Sequence, residues 1–188
     1  MRLVLKSFAA LIGGIAAGLA LTWASVFAAH FGTVRDGPWE TSLAVGSAQS
    51  GPYLRAYIAI HGLLALNRSE TIYYSASRDD RGDSLSGRCV YRVTGRDPDA
   101  RWWSITAYGS DDFLIANPAR RFSVSKTSVR RRADGSFAIA VSQDAGGENW
   151  IPVRDAFSLT LRLYNPGGRV TADPAHALLP AIRKERCR

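Results

Sequence analysis

An uncharged, apolar segment near the N-terminus constrains the fold of this chain more than any other feature. Residues 7–29 contain no charged side chain, and Arg2 and Lys6 precede them. A helix of that length rises about 35 Å, and the hydrocarbon core of a bilayer is about 30 Å thick. Residues 1–31 therefore predict a single transmembrane helix, with the lipid bilayer as its partner. The two preceding cations favour a cytoplasmic N-terminus and a periplasmic or other extracytoplasmic C-terminal domain.

Two interpretations of this segment stay open, an uncleaved anchor and a cleavable signal peptide. Residues 26–28 place small or aliphatic side chains at the spacing of a signal cleavage site. The uncharged run, however, is longer than the ~7–15 residues of a typical signal core. The greater length favours the anchor, and both interpretations place the rest of the chain outside the cytoplasm.

The charge of the chain bears on its partners. The 188 residues carry a net charge of +8, and a basic protein is often a nucleic-acid binder. Because an extracytoplasmic domain does not meet nucleic acid, we predict no such partner. The remaining anionic partners are lipid headgroups or an envelope polymer, and a simple effect of charge on solubility is the alternative explanation.

The rest of the chain divides by composition and periodicity. Residues 32–50 are rich in Gly and Ser, which predicts a linker. Residues 51–66 carry apolar side chains at spacings of three and four, which predict an amphipathic helix that also begins the folded domain, 51–188. Beyond it, five segments alternate apolar and polar side chains: 71–76, 88–94, 102–108, 136–142 and 157–164. Such alternation, interrupted by turn residues, predicts an all-β antiparallel sandwich or jelly roll.

Four sequence blocks carry a resemblance to a known family. They are RWWSITAY with DFLIANP (101–108 and 112–118), DGS (134–136), NWIP (149–152) and FSLTLRLYNP (157–166). In this order the blocks resemble the uncharacterised domain-of-unknown-function family number 1214, and residues 53–74 also resemble it. The resemblance extends over about 51–180 and implies a jelly-roll β-sandwich with no established reaction. Longer members carry a second domain before this one, so a membrane-anchored, single-domain member is implied here.

A serine hydrolase is the rival interpretation. Gly82-Asp83-Ser84-Leu85 spells the GDSL signature, Asp173-Pro174-Ala175-His176 spells the DxxH of such esterases, and Asn149 follows a glycine two positions earlier. A serine, a histidine and an amide donor are the groups that acyl transfer needs. Those esterases, however, place their serine after a strand of a parallel sheet, whereas Ser84 lies in a polar turn between two alternating segments. We therefore predict no catalytic residue and keep Ser84, Asn149 and His176 as the alternative.

A binding face is the stronger candidate site. Large side chains lie opposite the apolar positions of three predicted strands: Tyr73, Trp102, Tyr108, Arg162 and Tyr164. Aromatic rings with a guanidinium on one sheet face suit sugars, lipids or peptides. Arg162 has a second interpretation, a structural residue that donates to loop carbonyls. We expect a binding or structural role in the cell envelope, with the hydrolase as the alternative.

The remaining chemistry-bearing residues give two expectations. His30, His61 and His176 share no metal-ligand spacing, so no metal or cofactor is predicted, and His61 is expected in the core. Cys89 and Cys187 suit an oxidising compartment and predict a disulfide with Cα atoms about 4.4–6.8 Å apart. Two free thiols are the alternative.

Overall fold

The computed structural model describes residues 2–27, 32–47, 50–61, 65–144 and 146–188. Its helices are α1 (Arg2–Phe27), α2 (Pro52–Ile60) and α3 (Gly168–Ala172), with a 3-10 turn at Pro174–His176. Its strands are β1 (Thr33–Asp36), β2 (Trp39–Ser42), β3 (Thr71–Ala76), β4 (Cys89–Gly95), β5 (Ala100–Gly109), β6 (Ser123–Ser125), β7 (Phe137–Ser142), β8 (Trp150–Pro152), β9 (Phe157–Pro166) and β10 (Ala181–Cys187).

The first helix matches the predicted membrane segment. Its part Val4–Phe27 has a mean hydropathy of 1.9 over its best window, none of which is buried in the protein. A helix that is apolar all round and leaves its side chains uncovered suits a lipid environment. Length and composition therefore support membrane anchoring.

The strands form two sheets. The larger has six strands in the order β1-β2-β3-β9-β5-β6, and the smaller has four in the order β10-β4-β7-β8. All neighbours are antiparallel except β7 and β8, which run parallel. The fully antiparallel arrangement was predicted, and the parallel pair corrects it. Ala140 of β7 pairs with Trp150 of β8 and Ser142 with Pro152, so the two strands share a direction.

A continuous apolar core joins the sheets. Trp103 on β5 stacks on Phe137 of β7 with ring centroids 5.0 Å apart, and Tyr91 on β4 meets Phe157 of β9 edge-on at 5.8 Å. Both pairs link one sheet to the other, and all four residues are at most 5% exposed. The protein is therefore mostly β, with two packed sheets, and the jelly-roll assignment stays a prediction.

The segment expected to be a linker departs from that expectation. Strands β1 and β2 form a hairpin inside 32–50, and β2 pairs with β3 through Glu40 and Ser75. Trp39 is fully buried, and its indole Nε1 donates to the Pro180 carbonyl at 2.6 Å. Burial of the indole ties this hairpin to the larger sheet, although its Gly- and Ser-rich flanks resemble a linker.

The predicted disulfide is present. Cys89 and Cys187 are bonded, and they are register partners on β4 and β10. Their Cα atoms are 3.9 Å apart, below the predicted 4.4–6.8 Å. Strand pairing accounts for a short separation, because opposed residues of an antiparallel pair have Cα atoms about 4.5–5.5 Å apart. The C-terminal segment is thus a strand of the smaller sheet.

The amphipathic helix is shorter than predicted. It begins at Pro52, ends at Ile60 and has His61 as its C-cap, whereas 51–66 was expected. Residues 62–64 lie outside the described part of the chain. Leu54 is the buried residue of this helix, and the helix stands over the outer face of the larger sheet, where the candidate site lies.

Candidate functional site

A groove of about 910 Å³ lies on the outer face of the larger sheet. Its floor consists of side chains that point away from the core: Glu40, Ser42, Thr71, Tyr73, Ser75, Tyr108, Ser158, Thr160, Arg162 and Tyr164. Alternation explains the floor, because the neighbouring positions on β3, β5 and β9 fill the core. The volume is typical of a site for a small ligand.

The opposite wall comes from helices and connecting loops. Its apolar side chains are Phe27, Leu43, Val45, Leu54, Ala65 and Leu66. Phe27 is the last residue of α1, and its ring lies 6.3 Å from the His61 ring at the end of α2. The groove therefore has a hydroxyl- and aromatic-rich side on the sheet and an apolar side next to the end of α1.

Arg162 occupies the middle of the sheet side. Its guanidinium carbon lies 5.9 Å from the Tyr73 ring centroid and 5.4 Å from that of Tyr108. Its Nη2 also donates to the Tyr108 hydroxyl at 2.8 Å. Cross-strand pairing explains the Tyr73 contact, because Tyr73 is the register partner of Arg162, whereas Tyr108 pairs with Ser158 farther along β9. Two rings and one hydroxyl hold the guanidinium in place by cation–π contact and hydrogen bonding.

Each carboxylate of the groove lies beside a basic side chain. The Glu40 carboxylate pairs with Arg35 at 2.7 Å, and the Asp112 carboxylate lies 3.7 Å from the His61 Nε2. Arg68, a further cation of the lining, donates to the Thr171 carbonyl at 2.7 Å. Between residues of the described part of the chain, no ion pair within 4 Å involves Arg162 or Arg68. The groove therefore carries positive charge that its own carboxylates do not pair with.

His61 is a groove residue, although it was expected in the core. Its ring stacks on Tyr57 with centroids 4.0 Å apart, and its Nδ1 lies 2.9 Å from the Tyr57 carbonyl oxygen. Burial, followed by the nearby Asp112 carboxylate, raises the pKa of the Tyr57 phenol. Both effects disfavour the phenolate. The helix periodicity placed His61 on the apolar face of α2, but that face borders the groove.

The structure gathers most of the predicted binding face. Tyr73, Tyr108, Arg162 and Tyr164 line the groove. Trp102 lies outside the lining and packs edge-on against Tyr164 at 5.2 Å. Sequence reasoning missed Tyr57, Asp112 and Thr71, which also line the groove. Alternation does place Thr71 on the outer face of β3. The contribution of Tyr57 and Asp112 depends on where α2 and the loop after β5 fold over the sheet, which alternation within strands does not predict.

The alternative catalytic residues take up separate structural roles. The Asn149 side chain accepts from the Arg130 amide and donates to the Arg130 and Ala138 carbonyls, at 2.7–3.1 Å. The His176 ring contacts Asp173 at 2.9 Å, and its side chain is 80% exposed. Ser84 pairs with Arg78 in an isolated bridge. Within the described ranges no hydrogen bond joins Ser84 to His176, so the hydrolase hypothesis gains no support from the geometry.

Two solved structures match part of this chain, and the first of them shares its fold. The VPA0106 protein from Vibrio parahaemolyticus is 22% identical with a TM-score of 0.60, over 73% of this chain and 36% of that one. An uncharacterized protein from Burkholderia cenocepacia is 20% identical with a TM-score of 0.43, over 63% of this chain and 30% of that one. The chain thus spans about a third of the length of these proteins.

The sequence comparisons agree with the blocks described above. No curated protein matches the chain. One family profile, described as a protein of unknown function (DUF1214), matches residues 70–168. That range is narrower than the 51–180 inferred from the blocks, but it covers more than half of the sequence, including strands β3 to β9. The chain belongs to the DUF1214 family.

Proposed function

We propose that this protein is a single-pass membrane protein whose β domain binds an amphipathic ligand at the outer surface of the membrane that holds α1. The domain lies in the periplasm or an equivalent extracytoplasmic compartment, and its role in the cell envelope is binding rather than catalysis. The observation that carries this proposal is the position of the groove, which has the last residue of the membrane helix in its wall.

The two sides of the groove favour a lipid over the other ligands that an aromatic platform accepts. Phe27, Leu54 and Leu66 offer apolar surface, whereas Thr160, Tyr73 and the other sheet residues offer hydroxyl groups. Burial of an acyl chain against the apolar side contributes about 0.8 kcal/mol per methylene group. A wholly polar sugar gains nothing from that side, and an amphiphile satisfies both.

Proximity to α1 supplies a source for such a ligand. Trp23 and Phe27 stack at 4.1 Å near the end of the helix, where aromatic side chains favour the interface of a bilayer. Because Phe27 also lines the groove, a molecule leaving the bilayer surface reaches the site over a short path. A site of this kind extracts or presents a single lipid molecule.

Photolabelling tests the proposal. Full-length protein in lipid nanodiscs is irradiated with dodecanol that carries a diazirine in its chain, and the adducts are mapped by mass spectrometry. We expect adducts on the peptides of α2 and β3 that line the groove. Ser75→Trp fills the groove and lowers that labelling by about tenfold, the change that ~1.4 kcal/mol of binding free energy produces.

A matched variant controls for the added indole. Ser123 is an exposed serine on β6 of the same sheet and is not part of the groove lining. Ser123→Trp should label like the unmodified protein. Equal labelling of both variants, or adducts spread evenly over the domain surface, would contradict the proposed function.

A further inference from the structure

We propose that the ligand of the groove carries an anionic headgroup, a carboxylate or a phosphate, that binds to the guanidinium of Arg162. This inference rests on the proposed function and names the chemistry of the ligand at the same site. It follows from the surroundings of Arg162, from the charges around the groove and from one buried hydroxyl group.

The guanidinium of Arg162 is held in place, but most of its N–H donors have no hydrogen-bond partner among the described residues. A guanidinium has five N–H donors, and the hydrogen bond to the Tyr108 hydroxyl uses one of them. A structural arginine fills its donors with loop carbonyls, the alternative that the sequence left open. In the described part of the chain Arg162 donates to no carbonyl and pairs with no carboxylate. Its remaining donors are therefore available to a bound oxyanion.

The contacts with Tyr73 and Tyr108 also hold Arg162 in a position to bind an anion. Rings of Tyr73 and Tyr108 lie on it at 5.9 and 5.4 Å and restrict the motion of its long side chain. A guanidinium stays charged at all physiological pH values, and its planar fork matches the oxygens of carboxylates and phosphates. Because the side chain is held before the ligand arrives, less conformational entropy is lost on binding.

The other charged groups of the groove do not neutralise Arg162. Glu40 and Asp112 are the carboxylates of the lining, and each faces a partner, Arg35 and His61. Arg68 adds a second cation whose recorded partner is a neutral carbonyl. With Glu40 paired to Arg35, the two cations Arg162 and Arg68 exceed the one remaining carboxylate of the lining, Asp112. This excess beside an apolar wall favours an anion that also has an apolar tail.

Thr71 provides an independent indication of a ligand. It is 2% exposed and lines the groove, and its Oγ1 has no hydrogen-bond partner among the described residues. A buried hydroxyl without a partner costs free energy. Thr71 precedes Tyr73 by one same-face position on β3, about 7 Å away along the strand. The guanidinium of Arg162 extends the other way along the sheet, toward Tyr108, so this hydroxyl marks a second polar position of the groove.

The test compares headgroups on one tail. Full-length protein in nanodiscs is photolabelled with three diazirine probes of equal chain length, dodecanoate, dodecyl phosphate and dodecanol. We expect the two anionic probes to label the groove about tenfold more than dodecanol, as one charge-assisted hydrogen-bond pair provides. Arg162→Gln should remove this preference while dodecanol labelling persists, and Arg162→Lys should retain part of it.

The controls separate the two proposals. Arg101→Gln changes an exposed arginine on β5 outside the groove lining and should leave the preference intact. Groove labelling without headgroup preference, or a preference that survives Arg162→Gln, would overturn this inference and leave the proposed function standing. Absence of groove labelling by all three probes would overturn both.

A last arm distinguishes the source of the anion. Inorganic phosphate is added as a competitor against the dodecyl phosphate probe, beside unlabelled dodecyl phosphate. We expect the unlabelled amphiphile to displace the probe at a concentration at least about tenfold lower, because its tail contributes binding free energy that the free ion lacks. Equal competition by inorganic phosphate would mean that the site takes the free ion, and it would overturn the inference.

Discussion

At the scale of single residues, Trp39 connects parts of the chain that are 141 positions apart. Its buried indole packs in the core and donates to the carbonyl of Pro180, just before β10. Trp39→Ala should lower the free energy of unfolding by about 3–5 kcal/mol. Trp39→Phe keeps most of the packing and leaves the carbonyl unpaired, so a smaller loss of about 1–3 kcal/mol is expected.

Chemical denaturation of the full-length protein in detergent, followed by far-UV circular dichroism, measures both losses. Phe113→Ala serves as the control, because Phe113 is 73% exposed and its truncation should change stability by less than about 0.5 kcal/mol. If Trp39→Ala were no more damaging than this control, the hairpin β1–β2 would not be part of the folded domain.

Tyr57 gives a prediction on pH. Burial, with a smaller effect of Asp112, raises the pKa of its phenol above the ordinary 10.0. A raised pKa means that the folded state favours the neutral phenol. The resulting stability is present below pH 10 and is lost as the pH rises through the folded-state pKa. Asp112→Asn removes the carboxylate and should lower the Tyr57 pKa without returning it to 10.0.

Carbon-13 NMR of labelled tyrosine follows that titration directly, with Tyr57→Phe used to assign the signal. Asp111→Asn is the matched control, since Asp111 is the neighbouring carboxylate and does not contribute to the Tyr57 shift. A Tyr57 pKa that is unchanged in Asp112→Asn would contradict the contribution of that carboxylate.

At the scale of elements, the bond between Cys89 and Cys187 fixes β10 at the edge of the smaller sheet. The two residues are 98 positions apart, so the bond closes a loop through most of the domain. Cys187→Ser should lower the free energy of unfolding by about 2–4 kcal/mol. The double variant Cys89→Ser/Cys187→Ser should be no less stable, because the first change already removes the bond.

Thiol titration of protein purified without reductant accompanies those unfolding measurements. The unmodified protein should yield no thiol under native conditions, and Cys187→Ser should yield one. Two titrating thiols in the native, unmodified protein would refute the disulfide and the oxidising compartment together.

The elements also explain what the sequence could and could not predict. Alternation located β3, β4, β5, β7 and β9, because each has one face in the core. It missed the inner strand β2, which lies in the segment expected to be a linker, and all four edge strands, β1, β6, β8 and β10. Edge strands are often short or charged, which prevents pairing with other chains. The sequence AIRKERC of β10 shows the effect, since it lacks the apolar alternation that identifies a half-buried strand.

The site was predictable to a smaller extent than the fold. The side-chain period of two placed Tyr73, Tyr108, Arg162 and Tyr164 on one face of the sheet, and they do line one groove. The wall opposite depends on how α2 and the end of α1 pack, which is a matter of tertiary contacts. For that reason the sequence identified a flat aromatic platform, whereas the structure contains a groove.

At the scale of the whole molecule, the charges that precede α1 predict its orientation in a membrane. Arg2 and Lys6 precede α1, so the positive-inside rule predicts a cytoplasmic N-terminus. A reporter enzyme that folds only under oxidising conditions, fused after Arg188, should be active. The control replaces Arg2 and Lys6 with Glu, which should reduce that activity. An inactive fusion with the unmodified N-terminus would contradict the proposed location.

The central claim is that the groove holds an amphiphile, and native mass spectrometry tests it most directly. Full-length protein released from its own membranes should carry one bound molecule of lipid-like mass. Ser75→Trp should lose that adduct, because the indole fills the groove, and Ser123→Trp should keep it. An adduct of equal abundance in both variants, or none on the unmodified protein, would contradict the account.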